Sequence, residues 1–205
     1  KRSSYGTNLV QVEIPDSVTN VGIAFRNIGW LGSVTISSNV VSLTNKAFEN
    51  CFNLNSIGLP GGLKSIGDNG FAHCNSLREI QIPNSLESLG SGAFAECWKL
   101  TNIFIPEKLK EVKSNTFYNC RSLENASFPD SLKAIGEKAF FECTNIKTIN
   151  LPNSLEEIGY YAFFRNQSAT NVVFGPNIKK IAEGAFRGCV LLKVVQLPEK
   201  MEVLG

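Results

Sequence analysis

The 205-residue chain carries 20 Lys and Arg against 18 Asp and Glu, a net charge of +2, with 43% hydrophobic and 19% charged residues. This balance excludes a disordered chain and lacks the clustered basic charge of a nucleic-acid footprint, so no nucleic-acid partner is expected. No run approaches the ~18 apolar residues of a membrane-spanning helix, so no transmembrane segment is expected in this chain.

The first seven residues, Lys1 to Thr7, contain no apolar stretch of signal-peptide type. From Leu9 onward one pattern recurs. Phe25, Phe48, Phe71, Phe94, Phe117, Phe140, Phe163 and Phe186 stand at a spacing of 23. Cysteine keeps the same period at Cys51, Cys74, Cys97, Cys120, Cys143 and Cys189, with Asn166 in the vacant slot. Proline keeps it from Pro60 to Pro198, with Ser37 replacing the first and Gly175 a later one. A fixed period of this length is the signature of a solenoid whose repeats bury their apolar faces against one another. The unbroken repeat predicts a single domain over 1–205. It holds about eight to nine 23-residue repeats and is cut mid-repeat at both ends, with any leader lying outside this segment.

Residues 77 to 99 show the chemistry of one repeat. Ile80 and Ile82 alternate with Glu79 and Gln81, the pattern of a half-buried strand. Pro83 has no N–H for a ladder and ends that strand. Asn84 and Ser85 suit a turn, and Leu86 and Leu89 point inward from a second extended segment. Gly90 predicts a corner with positive φ. Ala93, Phe94 and Cys97 then predict a short helical or 3₁₀ turn leading to the next strand. The inward positions recur as columns. One runs from Leu9 to Leu192, another from Val12 to Val195 and a third from Val21 to Leu204. Nine first strands, stacked ~4.8 Å apart, predict one parallel sheet along the array, over a continuous aromatic spine. The rung at Asn166 to Pro176, with Ala169 in place of leucine, is expected to be the loosest.

The cysteines form a column whose side chains point the same way, so buried reduced thiols are expected and disulfides are not. Metal sites need ligands that converge, and the only histidine is His73. No metal and no cofactor is expected.

The run I-P-x-S-L-x-x-I-G-x-x-A-F-x-x-C-x-x-L-x-x-I, read from Ile82 to Ile103 and with substitutions from Leu151 to Val172, resembles the BspA-like class of leucine-rich repeat. The resemblance covers the chain from about Leu9 to Gly205. It implies an α/β solenoid, a right-handed leucine-rich-repeat superhelix. A parallel β-sheet would line its concave face, with short helical or 3₁₀ turns opposite. It also implies an extracellular or cell-surface location, and adhesion to host matrix or cell-surface proteins. An intracellular location is the alternative.

The exposed strand positions are the candidate binding surface. One column reads Gln11, Ser33, Ser56, Glu79, Asn102, Asn125, Thr148, Asn171, Val194, and the next Glu13, Thr35, Gly58, Gln81, Phe104, Ser127, Asn150, Val173, Gln196. Phe104 is their one aromatic residue. The candidate ligand-binding set is Phe104 with Gln81, Asn102, Asn125, Ser127 and Asn150. The Asn and Ser content suits a protein or glycan partner, and equally suits hydrogen bonding between rungs. A charged column, Lys64, Glu87, Lys110, Lys133, Glu156, Lys179 and Glu202, reads as solvated charge that favours register.

No Gly-rich phosphate loop or catalytic triad is present, so no enzyme is expected. Glu79 and Glu124 are the nearest approach to a carboxylate pair, two rungs or ~10 Å apart. Asn125-Ala126-Ser127 and Asn166-Gln167-Ser168 match the glycosylation sequon. A macromolecule-binding scaffold is the primary reading. Its alternatives are a carbohydrate-binding or carbohydrate-active parallel β-helix and a purely structural spacer.

Overall fold

A computed structural model of the protein describes residues 10–193 and 195–205; the expected starting residue Leu9 and the exposed-column residue Val194 lie outside them. Each rung follows one course. A first strand sets one residue inward between two outward ones, as Ile57 in Ser56–Gly58 and Ile103 in Asn102–Phe104. Proline closes it, and its carbonyl accepts the N–H three residues on, as Pro60 does from Leu63 at 3.0 Å and Pro83 from Leu86 at 3.0 Å. The serine between them ties the turn to the preceding rung. Ser85 and Ser154 hydroxyls donate to the carbonyls of Leu63 and Leu132, each at 2.6 Å. A two-residue second strand follows, as Ser65–Ile66 or Ser88–Leu89.

Gly90 does not take the positive φ expected of it. It is needed for proximity, since a Cβ there would lie 2.3 Å from the backbone nitrogen of Asp68 in the rung before. At Gly175, in the proline slot, a Cβ would lie 2.5 Å from Pro152 O.

All strand pairings are parallel and join equivalent positions of neighbouring rungs, such as Asn102↔Asn125, Phe104↔Ser127 and Ile135↔Ile158. The single nine-stranded sheet expected from the period is divided. The first strands form three ladders: Val10–Glu13 through Ser56–Gly58, Asn102–Phe104 with Asn125–Ser127, and Thr148–Asn150 with Asn171–Val173. Glu79–Gln81 forms no strand. The second strands form two ladders, Asn20–Val21 through Ser88–Leu89 and Glu111–Val112 through Val203–Leu204. A repeat period fixes which side chains stack. A ladder also requires each N–H to meet its carbonyl near 2.9 Å, and strands of two or three residues hold that alignment weakly against sheet twist.

Among the described residues the expected helical turns are absent apart from one 3₁₀ turn at Ile23–Phe25, so the solenoid is built of strands and turns rather than as an α/β array. The cause is backbone conformation. Two positions per turn have positive φ, in columns running Lys46, Asn69, Gly92, Asn115, Lys138, Tyr161, Gly184 and Asn50, His73, Glu96, Asn119, Glu142, Arg165, Gly188. A right-handed helix cannot pass through such residues. Alternate N–H groups instead point along the solenoid axis. Gly92, Phe94 and Glu96 donate to the carbonyls of Ser114, Thr116 and Tyr118 at 3.0, 2.8 and 2.7 Å. The same three bonds recur from the rung of Lys46 to that of Tyr161.

The core runs as one cluster from Ile14 to Ala185. The expected aromatic spine is present: Phe25 through Phe186 stack with centroids 5.1–5.6 Å apart and interplanar angles of 1–20°. Ala126 underfills its column, and Phe128 two residues on supplies the volume, packing edge-on to Phe140 at 5.6 Å. All six cysteines are free and buried, and burial raises each thiol's pKa, Cys51 to about 12 and Cys189 to about 11. Each Sγ–H donates to the Phe carbonyl of the preceding rung at 3.0–3.3 Å. Asn166, in the cysteine slot, is fully buried with its Nδ2 and Oδ1 unpartnered.

Two stability predictions follow from this packing. Phe117→Ala opens a cavity between two rungs and should cost about 3–5 kcal/mol in urea unfolding, more than Phe25→Ala at the edge of the stack; equal losses would contradict a one-dimensional core. Asn166→Cys removes two unpaired buried polar atoms and gives Phe140 O a thiol donor, so it should stabilise the chain by about 1–3 kcal/mol in the same assay.

Candidate functional site

The first-strand face carries the expected surface residues. Phe104 is 67% exposed, at the end of Asn102–Phe104. Register places Ser127 beside it and Asn125 beside Asn102. Asn125 Nδ2 donates to Asn102 Oδ1 at 2.8 Å, and Asn102 Nδ2 donates to Thr101 Oγ1 at 3.0 Å. These two side chains therefore spend part of their capacity within the fold. Gln81, exposed, precedes Phe104 in its column but lies outside any strand. Asn150, also exposed, follows Ser127 but belongs to the next ladder. Val173 adds a second half-exposed apolar residue to the column.

On the N-terminal side of Phe104 lies a shallow trough of about 540 Å³, with Ser33, Thr35, Ser56 and Gly58 among its floor residues and Glu79 and Gln81 at one end. A Cβ on Gly58 would meet nothing within 4 Å, so this glycine opens the floor rather than serving the backbone. Glu124 bonds through its N–H to Thr101 O. It thus sits in the column next to that of Glu79, and the two acids suggested as a pair do not share one column. Of the two sequons, Asn125 is exposed, whereas Asn166 is buried and inaccessible in the folded chain. Among the described residues no helix is long and apolar enough to cross a membrane, and no group of three or more His, Cys, Asp or Glu could hold a metal ion.

Stacked parallel rungs with one Phe, one Cys and one Pro per 23 residues match the family description BspA type Leucine rich repeat region (6 copies) over residues 2–124 and again over 110–205. The chain belongs to the BspA-type leucine-rich repeat family. No curated protein matches the sequence. Solved structures of similar fold include a leucine rich cell surface protein of Faecalibacterium prausnitzii A2-165, 23% identical with TM-score 0.62 over 95% of this chain and 77% of that one. A leucine rich repeat protein of T. pallidum is 25% identical, with TM-score 0.63 over 90% and 78%. A leucine-rich repeat protein of Eubacterium ventriosum is 16% identical, with TM-score 0.58 over 93% and 67%.

Two further features of this BspA-type array bear on binding. The first is the charged edge. Glu87 bonds Lys64 at 2.8 Å and Lys108 at 3.0 Å, and Glu156 bonds Lys133 at 2.8 Å and Lys179 at 2.7 Å. Lys108, not the expected Lys110, is the second partner of Glu87. The second was missed in the sequence. Tyr118, Phe141 and Phe164 stack on the turn face at 4.9 and 4.7 Å. Their spacing of 23 is as regular as that of the spine, and the doublets Phe140-Phe141 and Phe163-Phe164 could have revealed them.

Hydrogen bonds from Lys133 and Lys179, reinforced by their charge, hold the Glu156 carboxyl down at about 2, against an ordinary value of 4.5. A carboxylate with a depressed pKa favours the folded state above its unfolded pKa, and that contribution fades as pH falls from 4.5 toward 2. Carbon-13 NMR titration should show Glu156 ionising near 2. Lys133→Met or Lys179→Met should each raise that value, as should added salt, because the pair is exposed.

Proposed function

We propose that the protein is a macromolecule-binding scaffold of the cell surface. It takes a protein partner, a host matrix or cell-surface protein, on the first-strand face. Phe104 is the apolar anchor and Gln81, Asn102, Asn125, Ser127 and Asn150 are its polar border. The observation that carries this reading is the 67% exposure of Phe104 in a column that is otherwise small and polar around it. The fold does not require an aromatic there: equivalent positions hold Thr35, Gly58 and Ser127. A central apolar side chain with a polar border is the usual anatomy of a protein contact. The cell-surface location is supported by the family and by the Faecalibacterium prausnitzii neighbour, itself a leucine rich cell surface protein.

The test is surface plasmon resonance of the chain against a panel of matrix and cell-surface proteins, with a glycan array beside it. Phe104→Ala should weaken the protein partner by about 1–3 kcal/mol and leave the thermal melt unchanged. Lys110→Ala, on the charged edge, should change binding little. Loss on Lys110→Ala with no effect of Phe104→Ala would move the site to that edge. Binding confined to the glycan array would favour a carbohydrate ligand.

A further inference from the structure

We propose that the turn face around Tyr118, Phe141 and Phe164 is a second docking site, separate from the first-strand face, and that its occupant is a protein segment rich in acidic and apolar side chains. The three rings occupy one column, whose other members are Arg26, Glu49, Ala72, Ala95 and Arg187. The same backbone position thus accepts a carboxylate, a methyl group or a guanidinium, and the spine behind it is complete without these rings. Their aromatic character is local to three successive rungs and is not imposed by the repeat.

The geometry selects the ligand chemistry. The rings stack within 4.7–4.9 Å at interplanar angles of 10° and 14°, so the inner faces are occupied. Arg165 lies 5.2 Å from the Phe164 ring centroid, and Tyr161 meets that ring edge-on at 5.5 Å. What the strip offers is ring edges, and aromatic edges are electropositive. A sugar stacks on an open ring face, which is scarce here. A bilayer takes up projecting aromatics, and these three are only half-exposed.

Guanidinium groups bracket the strip. Arg187 follows Phe164 in the same column, and Arg121 stands on the rung of Tyr118. Arg165 and Lys138 are engaged by Glu142 at 3.1 Å and Glu137 at 2.6 Å. Arg121 and Arg187 make no ion pair among the described residues. Arg121 donates to Asn119 Oδ1 at 2.9 Å and lies 6.0 Å from the Trp98 ring centroid, and Asn119 Nδ2 donates in turn to Glu96 at 3.0 Å; Glu183 stands in the column of the exposed Tyr160. Electropositive edges beside the exposed Arg187, which makes no ion pair among the described residues, complement carboxylates, and the ring bodies complement apolar side chains set between them.

The experiment selects a phage library of random dodecapeptides on the immobilised full chain carrying Phe104→Ala, which leaves the first-strand face without its anchor. Synthetic copies of the enriched peptides are then measured against that chain and its variants, with circular dichroism confirming the fold of each. The expected peptides carry Asp or Glu beside Leu, Phe or Trp. Phe141→Ala with Phe164→Ala should weaken them about tenfold. Arg187→Glu, an exposed change that leaves the stack intact, should weaken them about fivefold, and 0.5 M salt should do the same. Peptides without acidic enrichment, or affinities unchanged by both variants, would overturn the proposal. So would binding of phosphatidylserine vesicles that the aromatic variant abolishes while no peptide is selected, which would make the strip a membrane contact. Failure here leaves the Phe104 result standing, since the two faces are scored by different variants.

Discussion

Rung-to-rung hydrogen bonding on the turn side is the constraint on which the rest of this solenoid depends. The sheets are interrupted; this ladder is not. Three N–H groups per rung donate to carbonyls of the next from Lys46 to Arg165. One of the three belongs to the spine phenylalanine itself. Phe71 N–H meets Ala93 O at 2.7 Å, and Phe140 N–H meets Ala162 O at 2.7 Å. Each Phe is thereby fixed to the residue preceding the next Phe, and the rings come into register as a consequence. The Ala-Phe doublet follows from this. The residue before Phe presents its carbonyl inside the stack, so it must be small, or satisfied like Thr116, whose hydroxyl donates to Lys113 O at 2.7 Å.

The Phe carbonyl completes the linkage in the opposite direction. Phe48 O accepts the N–H of Cys51 in its own rung at 3.2 Å and the thiol of Cys74 in the next at 3.3 Å. A sulfur column is a compact way to satisfy a buried carbonyl's second lone pair, because the thiol is small, apolar in bulk and still a donor. Burial keeps these thiols protonated, and a protonated thiol is a poor nucleophile. The cysteines therefore act as structural hydrogen-bond donors. Between Cys51 and Cys189 the device is missing at Asn166, and both polar atoms of its amide are left without partners.

Much of this was legible because the period is strict. Phe94, Cys97 and Leu100 name their columns without any knowledge of coordinates, and the solenoid with its aromatic spine follows. The turn conformation was not read, although its signal was present. Asn69, Asn115 and Gly184 in one column, with Asn50, Asn119 and Gly188 in another, are the residue types that tolerate positive φ. Lys138, Glu142 and Tyr161 share those columns and obscure them. Ladder breaks at Glu79–Gln81 and between Ser88–Leu89 and Glu111–Val112 were not legible. Lys113 stands in the glycine slot beside the second break, yet Thr44 and Ala182 fill the same slot with their bonds to Val21 O and Ile158 O intact. A single side chain therefore does not account for it. Phe104 was legible as a site candidate because the strand alternation placed it outward.

A repeat array compares its own rungs, and that comparison separates what folding requires from what it leaves free. Where every rung gives the same answer, as at Phe94, stacking dictates the residue. Where the answers scatter without pattern, as at Ser88, Glu111 and Lys180, solvent accepts any of them. The informative columns are of a third kind, in which variable rungs give way to a local run of one chemistry. Tyr118, Phe141 and Phe164 make such a run on the turn face, and Thr35, Gly58 and Gln81 give way to Phe104 across the first strands. Stacking alone explains neither, since neighbouring rungs stack equally well without them. An exposed aromatic costs solvation that Ala or Ser in the same position would not, so its presence on a surface the core does not need points to contacts outside the chain.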